Sequence, residues 1–110
     1  MGFIFDDGGS RRAMSTYVTL WQFTQHGAQA IRESPDRIDR LEELFDEMGG
    51  ELLEFHMLMG QYDTITISEF PDDETASQAV LAVTEEGNVS SETLKAFSRE
   101  ETRELIDGIP

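Results

Sequence analysis

Cysteine is missing altogether from the 110 residues, which removes disulfides, thiolate chemistry and cysteine-type zinc sites. Long apolar runs are missing too: nothing approaches the roughly 20 consecutive residues that a bilayer-spanning helix needs. Basic residues are scarce, 8 Lys+Arg against 23 Asp+Glu, for a formal charge of −15. A field of that sign repels phosphate backbones and anionic lipid, so neither nucleic acid nor membrane is expected as a partner. There are 2 histidines, and the acids are too abundant for their spacing to mark a metal site. No phosphate-binding loop, dinucleotide fingerprint or nucleophile elbow is present. The expectation is a cytoplasmic protein without metal or cofactor.

The acidity itself reads two ways, as a functional patch or as dispersed solvation of the kind suited to a high-salt (halophilic) cytoplasm. Acids alternate with apolar positions instead of forming blocks, which favours dispersion. Hydrophobic residues make up only 38% of the chain, so subunit contacts are expected to supplement one modest core. Residues 1–14, with Asp6-Asp7-Gly8-Gly9-Ser10-Arg11-Arg12, are polar and aperiodic and read as a flexible tail. Gly2-Phe3-Ile4-Phe5 lacks the basic flank of a signal peptide. The domain proper is placed at 15–110.

What is there centres on a hairpin. Glu51 to Met59 and Thr64 to Phe70 are extended, partly alternating runs around Gly60-Gln61-Tyr62-Asp63. A two-residue Gly60-Gln61 loop would pair His56 with Ile65 and Glu54 with Ile67. One extra loop residue would instead bring Leu53, Phe55 and Met57 onto the face of Ile65 and Ile67. Burial favours the second register, since a slip of one residue flips every side chain. Tyr17 to Phe23 supplies a first strand, rich in β-branched and aromatic residues. Ser34-Pro35 opens a helix, with serine as N-cap and Ile38, Leu41, Leu44, Phe45 and Met48 as its stripe. Pro71-Asp72-Asp73 caps a second helix from Glu74 to about Glu86. Val89 to Phe97 is a fourth strand, and Ser98 with Glu101 forms a capping box for a short terminal helix.

The order β-α-β-β-α-β is the ferredoxin-like α+β arrangement: a four-stranded antiparallel sheet with two helices on one face. With Val18, Leu20, Ile65, Ile67, Leu94 and Ala96 turned to the helices, the other face carries Trp21, Phe23, Glu54, His56, Thr66, Lys95 and Phe97. Large apolar side chains on that face call for a cover, and a second copy across a two-fold would close a dimeric α+β barrel.

The chain resembles the GYD domain family, named for a glycine-tyrosine-aspartate signature. The resemblance is carried by Tyr17-Val18-Thr19-Leu20, Thr24 with Gly27, Ser34-Pro35 with Arg37, Gly49-Gly50, Gly60-Gln61-Tyr62-Asp63, Pro71-Asp72-Asp73 and Gly87-Asn88-Val89 through Phe97, in order. It implies the fold and a homodimer, or a larger homo-oligomer, but no mechanism, since the family's function is unknown. A weaker similarity ties the Gly60 to Asp63 turn and Val89 to Phe97 to the ligand-binding domain of feast/famine regulators, without their helix-turn-helix.

His56, with Glu54 on its face and Lys95 expected nearby, is the candidate acid/base group. Trp21 and Phe23 would hold a flat apolar ligand beside it inside the barrel. The blander reading has these groups satisfying one another at a dimer interface. Tyr62 and Asp63 are ligand candidates, or else a packed ring and a carboxylate accepting backbone N–H groups in the turn. The sequence therefore points to a homo-oligomeric small-molecule binding or sensing module. A cofactor-independent monooxygenase or isomerase and a purely structural oligomerisation module are the alternatives.

Overall fold

A computed structural model describes residues 14–110; the proposed tail up to Ala13 lies outside the described residues. The strands are β1 (Ser15–Phe23), β2 (Glu51–Met57), β3 (Thr64–Phe70) and β4 (Val89–Ala96). They form one antiparallel sheet in the order β2-β3-β1-β4. The helices are α1 (Gln25–Gln29), α2 (Ser34–Glu47), α3 (Asp73–Thr84) and α4 (Arg99–Asp107), with a 3-10 turn at Ile31–Glu33. This is the expected split βαβ topology.

Local chemistry sets the helix limits. Thr24 caps α1 and Asp72 caps α3, each side chain accepting a backbone N–H three residues on. Ser98 and Glu101 complete the capping box of α4. Ser34, expected as an N-cap, is already inside α2, because the 3-10 turn runs straight into the helix with Glu33 at the cap position. Its hydroxyl instead accepts from Arg37 Nη2 at 3.0 Å, while Arg37 Nη1 donates to the Ala30 carbonyl at 3.1 Å. Arg37 thus ties the turn to the helix.

The core lies between the sheet and α2 and α3: Tyr17, Phe45, Phe70, Ala76 and Ala79 are buried together, with Leu41, Met48, Leu52 and Val83 packed against them. Phe45 meets the Phe70 ring edge-on at a centroid distance of 5.0 Å. The fully buried side chains of α3 are alanines, so the helix comes close to the strands beneath it.

The facing of three strands is the reverse of the expectation. The ladder pairs His56 with Ile65 and Glu54 with Ile67, the register that burial of the β2 apolar set disfavours. A β-bulge between Leu52 and Glu54 reconciles it with the core: Leu53 is the extra, exposed residue, and both Leu52 and Phe55 turn to the helices. Tyr17, Thr19 and Trp21 of β1 and Thr66, Ser68 and Phe70 of β3 are the buried, helix-facing set. Val18, Leu20, Ile65, Ile67 and Leu94 occupy the opposite, open face. The hydroxyls tolerate burial because they are partnered. The Trp21 indole donates to Thr66 Oγ1 at 3.0 Å, and Thr19 Oγ1 lies 3.2 Å from Thr93 Oγ1.

The terminal helix stands apart. Every residue from Phe97 to Pro110 is exposed, including Leu105, Ile106 and Ile109.

Candidate functional site

The face inversion divides the predicted site residues into three groups. Trp21 and Phe23 line a cavity between α2 and the sheet, of about 200 Å³. Its floor is Trp21, Phe23, Phe55, Thr64 and Thr66; its roof is Ile38, Leu41 and Leu44; Val83 and Val89 close one end. Ser34, Arg37, Arg40, Glu86 and Asn88 complete the lining, and the exposed Arg40 and Glu86 mark the mouth. Trp21 is 2% exposed without any second copy, so it belongs to the interior of one subunit, not to a subunit interface.

His56 and Glu54 lie on the other face. His56 Nε2 is 2.9 Å from Glu54 Oε1, and both side chains are more than half exposed. Lys95 is not their neighbour. β2 and β4 are opposite edges of the sheet, and Lys95 Nζ is instead 3.2 Å from Asp73 Oδ1 at the start of α3. The same carboxylate oxygen accepts the Tyr17 hydroxyl at 2.5 Å. Burial and that bond push the Tyr17 phenol up to about 12, and the Tyr17 and Lys95 contacts hold Asp73 below the usual carboxylate range. The acid/base group and the aromatic pair are therefore not assembled around one substrate position.

Tyr62 and Asp63 form the third group, and they brace the cavity. Gly60 takes a φ of 129°, open to glycine and strained for other residues. The loop then folds back on the end of β1. Asp63 N–H donates to the Trp21 carbonyl at 2.8 Å, and Phe23 N–H donates to Asp63 Oδ2 at 2.7 Å. Gln22 Nε2 donates to the Gln61 carbonyl at 2.7 Å. The backbone of both cavity aromatics is thus pinned by one aspartate. The Tyr62 hydroxyl donates to Glu92 of β4, which raises the phenol above its ordinary pKa.

Sequence reasoning passed over the α2 side of the cavity. Its arginines carried a signal, since Arg37 and Arg40 stand three apart on one helix in a chain poor in cations. The second junction behind the cavity is made by Gly27, Thr24 and Asn88. Thr24 N–H donates to the Asn88 carbonyl at 3.0 Å, and a Cβ on Gly27 would fall 1.9 Å from that same oxygen. Among the described residues, no group of three or more His, Cys, Asp or Glu is placed to hold a metal ion, and no helix is long and apolar enough to cross a membrane.

Comparison with known proteins places this geometry. A protein of Thermus thermophilus called glutamine synthetase and cystathionine beta-lyase binding protein is 30% identical over 85 residues, covering 76% of this chain and 90% of the relative. The structure of MtbAldR superposes with a TM-score of 0.61 at 14% identity, over 78% of this chain; the chain spans 55% of MtbAldR. Ribosomal protein S6 of Thermotoga maritima superposes with a TM-score of 0.52 at 13% identity, covering 86% of this chain and 98% of S6. Both likenesses are of fold. The model of the GYD domain matches residues 17–106, and the chain belongs to the GYD domain family.

Proposed function

We propose that this chain is a small-molecule-binding module that works as a homodimer, with the ligand held between α2 and the sheet. The observation that carries the reading is the cavity: an aromatic and aliphatic chamber with a few polar groups at its mouth, the composition of ligand sites. Its two sheet-borne aromatics are held in place by the loop that bears the family signature. Trp21 is the only tryptophan, so its fluorescence reports on this chamber alone. Titration with a panel of small apolar and amphiphilic compounds should shift or quench Trp21 emission for some members. If none perturbs Trp21 and native mass spectrometry finds no co-purified compound, the reading is lost.

Self-association rests on the open face. Val18, Leu20, Ile65, Ile67 and Leu94 make a continuous aliphatic surface that water solvates poorly. A second copy can cover it by packing sheet on sheet. The expected species in sedimentation is a dimer or a multiple of it. On that arrangement the His56–Glu54 pair would enter the barrel interior, apart from the ligand chamber. The enzyme alternative would then use His56 without Trp21 and Phe23.

A protein-binding role is the second reading, favoured by the Thermus relative and by the C-terminal segment, where Leu105 and Ile106 of α4 and Ile109 just beyond it are exposed. Direct titration of purified glutamine synthetase or cystathionine beta-lyase against the full chain, and against a chain ending before α4, tests it. Equal failure of both chains to bind would remove it.

A further inference from the structure

We infer that the ligand of the α2 chamber is a compact apolar molecule bearing a single carboxylate, about the size of a ring with one acidic substituent. The inference rests on reading the chamber as the ligand site and adds the ligand's class. Size comes first. A cavity of 150 Å³ lined by Leu, Ile and Phe accommodates benzene, and this one measures about 200 Å³. Room remains inside for a carboxylate or a short branch.

Charge comes second. The chain holds 23 acidic residues against 8 basic ones, yet both Arg37 and Arg40 line this one small chamber. Arg37 is engaged with the Ala30 carbonyl and Ser34, which holds its guanidinium between the end of α1 and the start of α2. Arg40 has no hydrogen bond or ion pair among the described residues. Glu86 shares the lining but makes no ion pair with it. An unpaired guanidinium beside a held one matches a carboxylate, which accepts two parallel N–H bonds. At physiological ionic strength the charges of remote acids are screened beyond about 8 Å. The acids within a turn of Arg40, Asp36 and Glu43, and Glu86 in the lining make no ion pair with it, so its guanidinium keeps its donors for a ligand.

Benzoate and phenylacetate, with benzyl alcohol as the neutral comparison, test the class through Trp21 fluorescence and two-dimensional NMR at constant salt. The carboxylates should bind about tenfold more tightly than the alcohol, a difference of one charge-assisted contact. Arg40→Gln, at an exposed position, should erase that preference, bringing the carboxylates to the affinity of the alcohol measured on the same variant. Circular dichroism of the variant checks that it is folded. Alcohol binding equal to or tighter than carboxylate binding overturns the anionic class and leaves the chamber as the ligand site. A preference that survives Arg40→Gln also overturns the inference. Failure of all three compounds to perturb Trp21 overturns it as well, and native mass spectrometry of the purified protein then decides whether the chamber reading falls with it.

Discussion

The carboxylate of Asp63 accepts the backbone N–H of Phe23 at 2.7 Å, while its own N–H donates to the carbonyl of Trp21 at 2.8 Å. One residue of the hairpin loop thus closes the end of β1 where the sheet ladder runs out. Asp63→Ala leaves a partly buried N–H without its acceptor, at a cost of about 1–3 kcal/mol. Asp63→Asn keeps one carbonyl oxygen in reach and should cost less. Urea denaturation ranks the two variants. Equal stability of Asp63→Ala and the parent would show that the loop does not brace the strand.

The element order, the caps at Asp72 and Ser98 and the α2 stripe are legible, because each depends on local chemistry or on a period of 3.6; the α2 cap is not, because a 3-10 turn runs into Ser34. The facing of β1, β3 and β4 was not. In β1 both faces are apolar, Tyr17 and Trp21 against Val18 and Leu20, so alternation has no polar side to orient it. In β3 the isoleucines look like core and the threonines like surface. The structure buries Thr66 because the Trp21 indole needs its oxygen and small side chains let the helices approach. The bulge at Leu53 then let β2 meet the reversed β3 without turning Glu54 inward. The cavity was hidden for the same reason: its aromatic floor was assigned to the opposite face.

Thr66→Val tests that pairing. The methyl replaces the hydroxyl at nearly constant size, and the buried indole N–H loses its 3.0 Å partner. An unsatisfied buried donor costs about 1–3 kcal/mol. The melting temperature should fall and Trp21 emission should move. An unchanged melting temperature would mean that the indole finds another acceptor in the chamber.

The Tyr17–Asp73–Lys95 cluster predicts opposite behaviour at the two ends of the pH scale. Asp73 is depressed below its unfolded value of 3.8, so its contribution is present above that value and fades as pH falls through the lower folded one. Tyr17 is raised from 10.0 to about 12, so its contribution is present below 10 and fades as pH rises towards 12. Tyr17→Phe should lower the melting temperature near neutrality, by less than a buried charged hydrogen bond would because Asp73 faces solvent. It should also flatten the alkaline loss of stability. Melts across the range from pH 9 to about 12, with Tyr62→Phe alongside to separate the part due to the second raised phenol, read this out. A Tyr17→Phe profile parallel to the parent's would rule out the phenol as the source.

Gly27 and Gly49 separate two reasons for a glycine. At Gly27 an added Cβ would meet the Asn88 carbonyl oxygen at 1.9 Å, and that oxygen also accepts from Thr24. The collision is with backbone, so relief requires the junction between β1, α1 and the start of β4 to part. At Gly49 the surroundings are open and the only penalty is a φ of 83°, worth about 1–2 kcal/mol. Gly27→Ala should therefore destabilise more than Gly49→Ala. It should also alter the cavity end formed by Asn88 and Val89, which Gly49→Ala does not approach. Melting temperature and Trp21 emission measured together distinguish the two effects. A Gly27→Ala protein as stable as Gly49→Ala, with unmoved emission, would mean that the junction yields without disturbing the chamber.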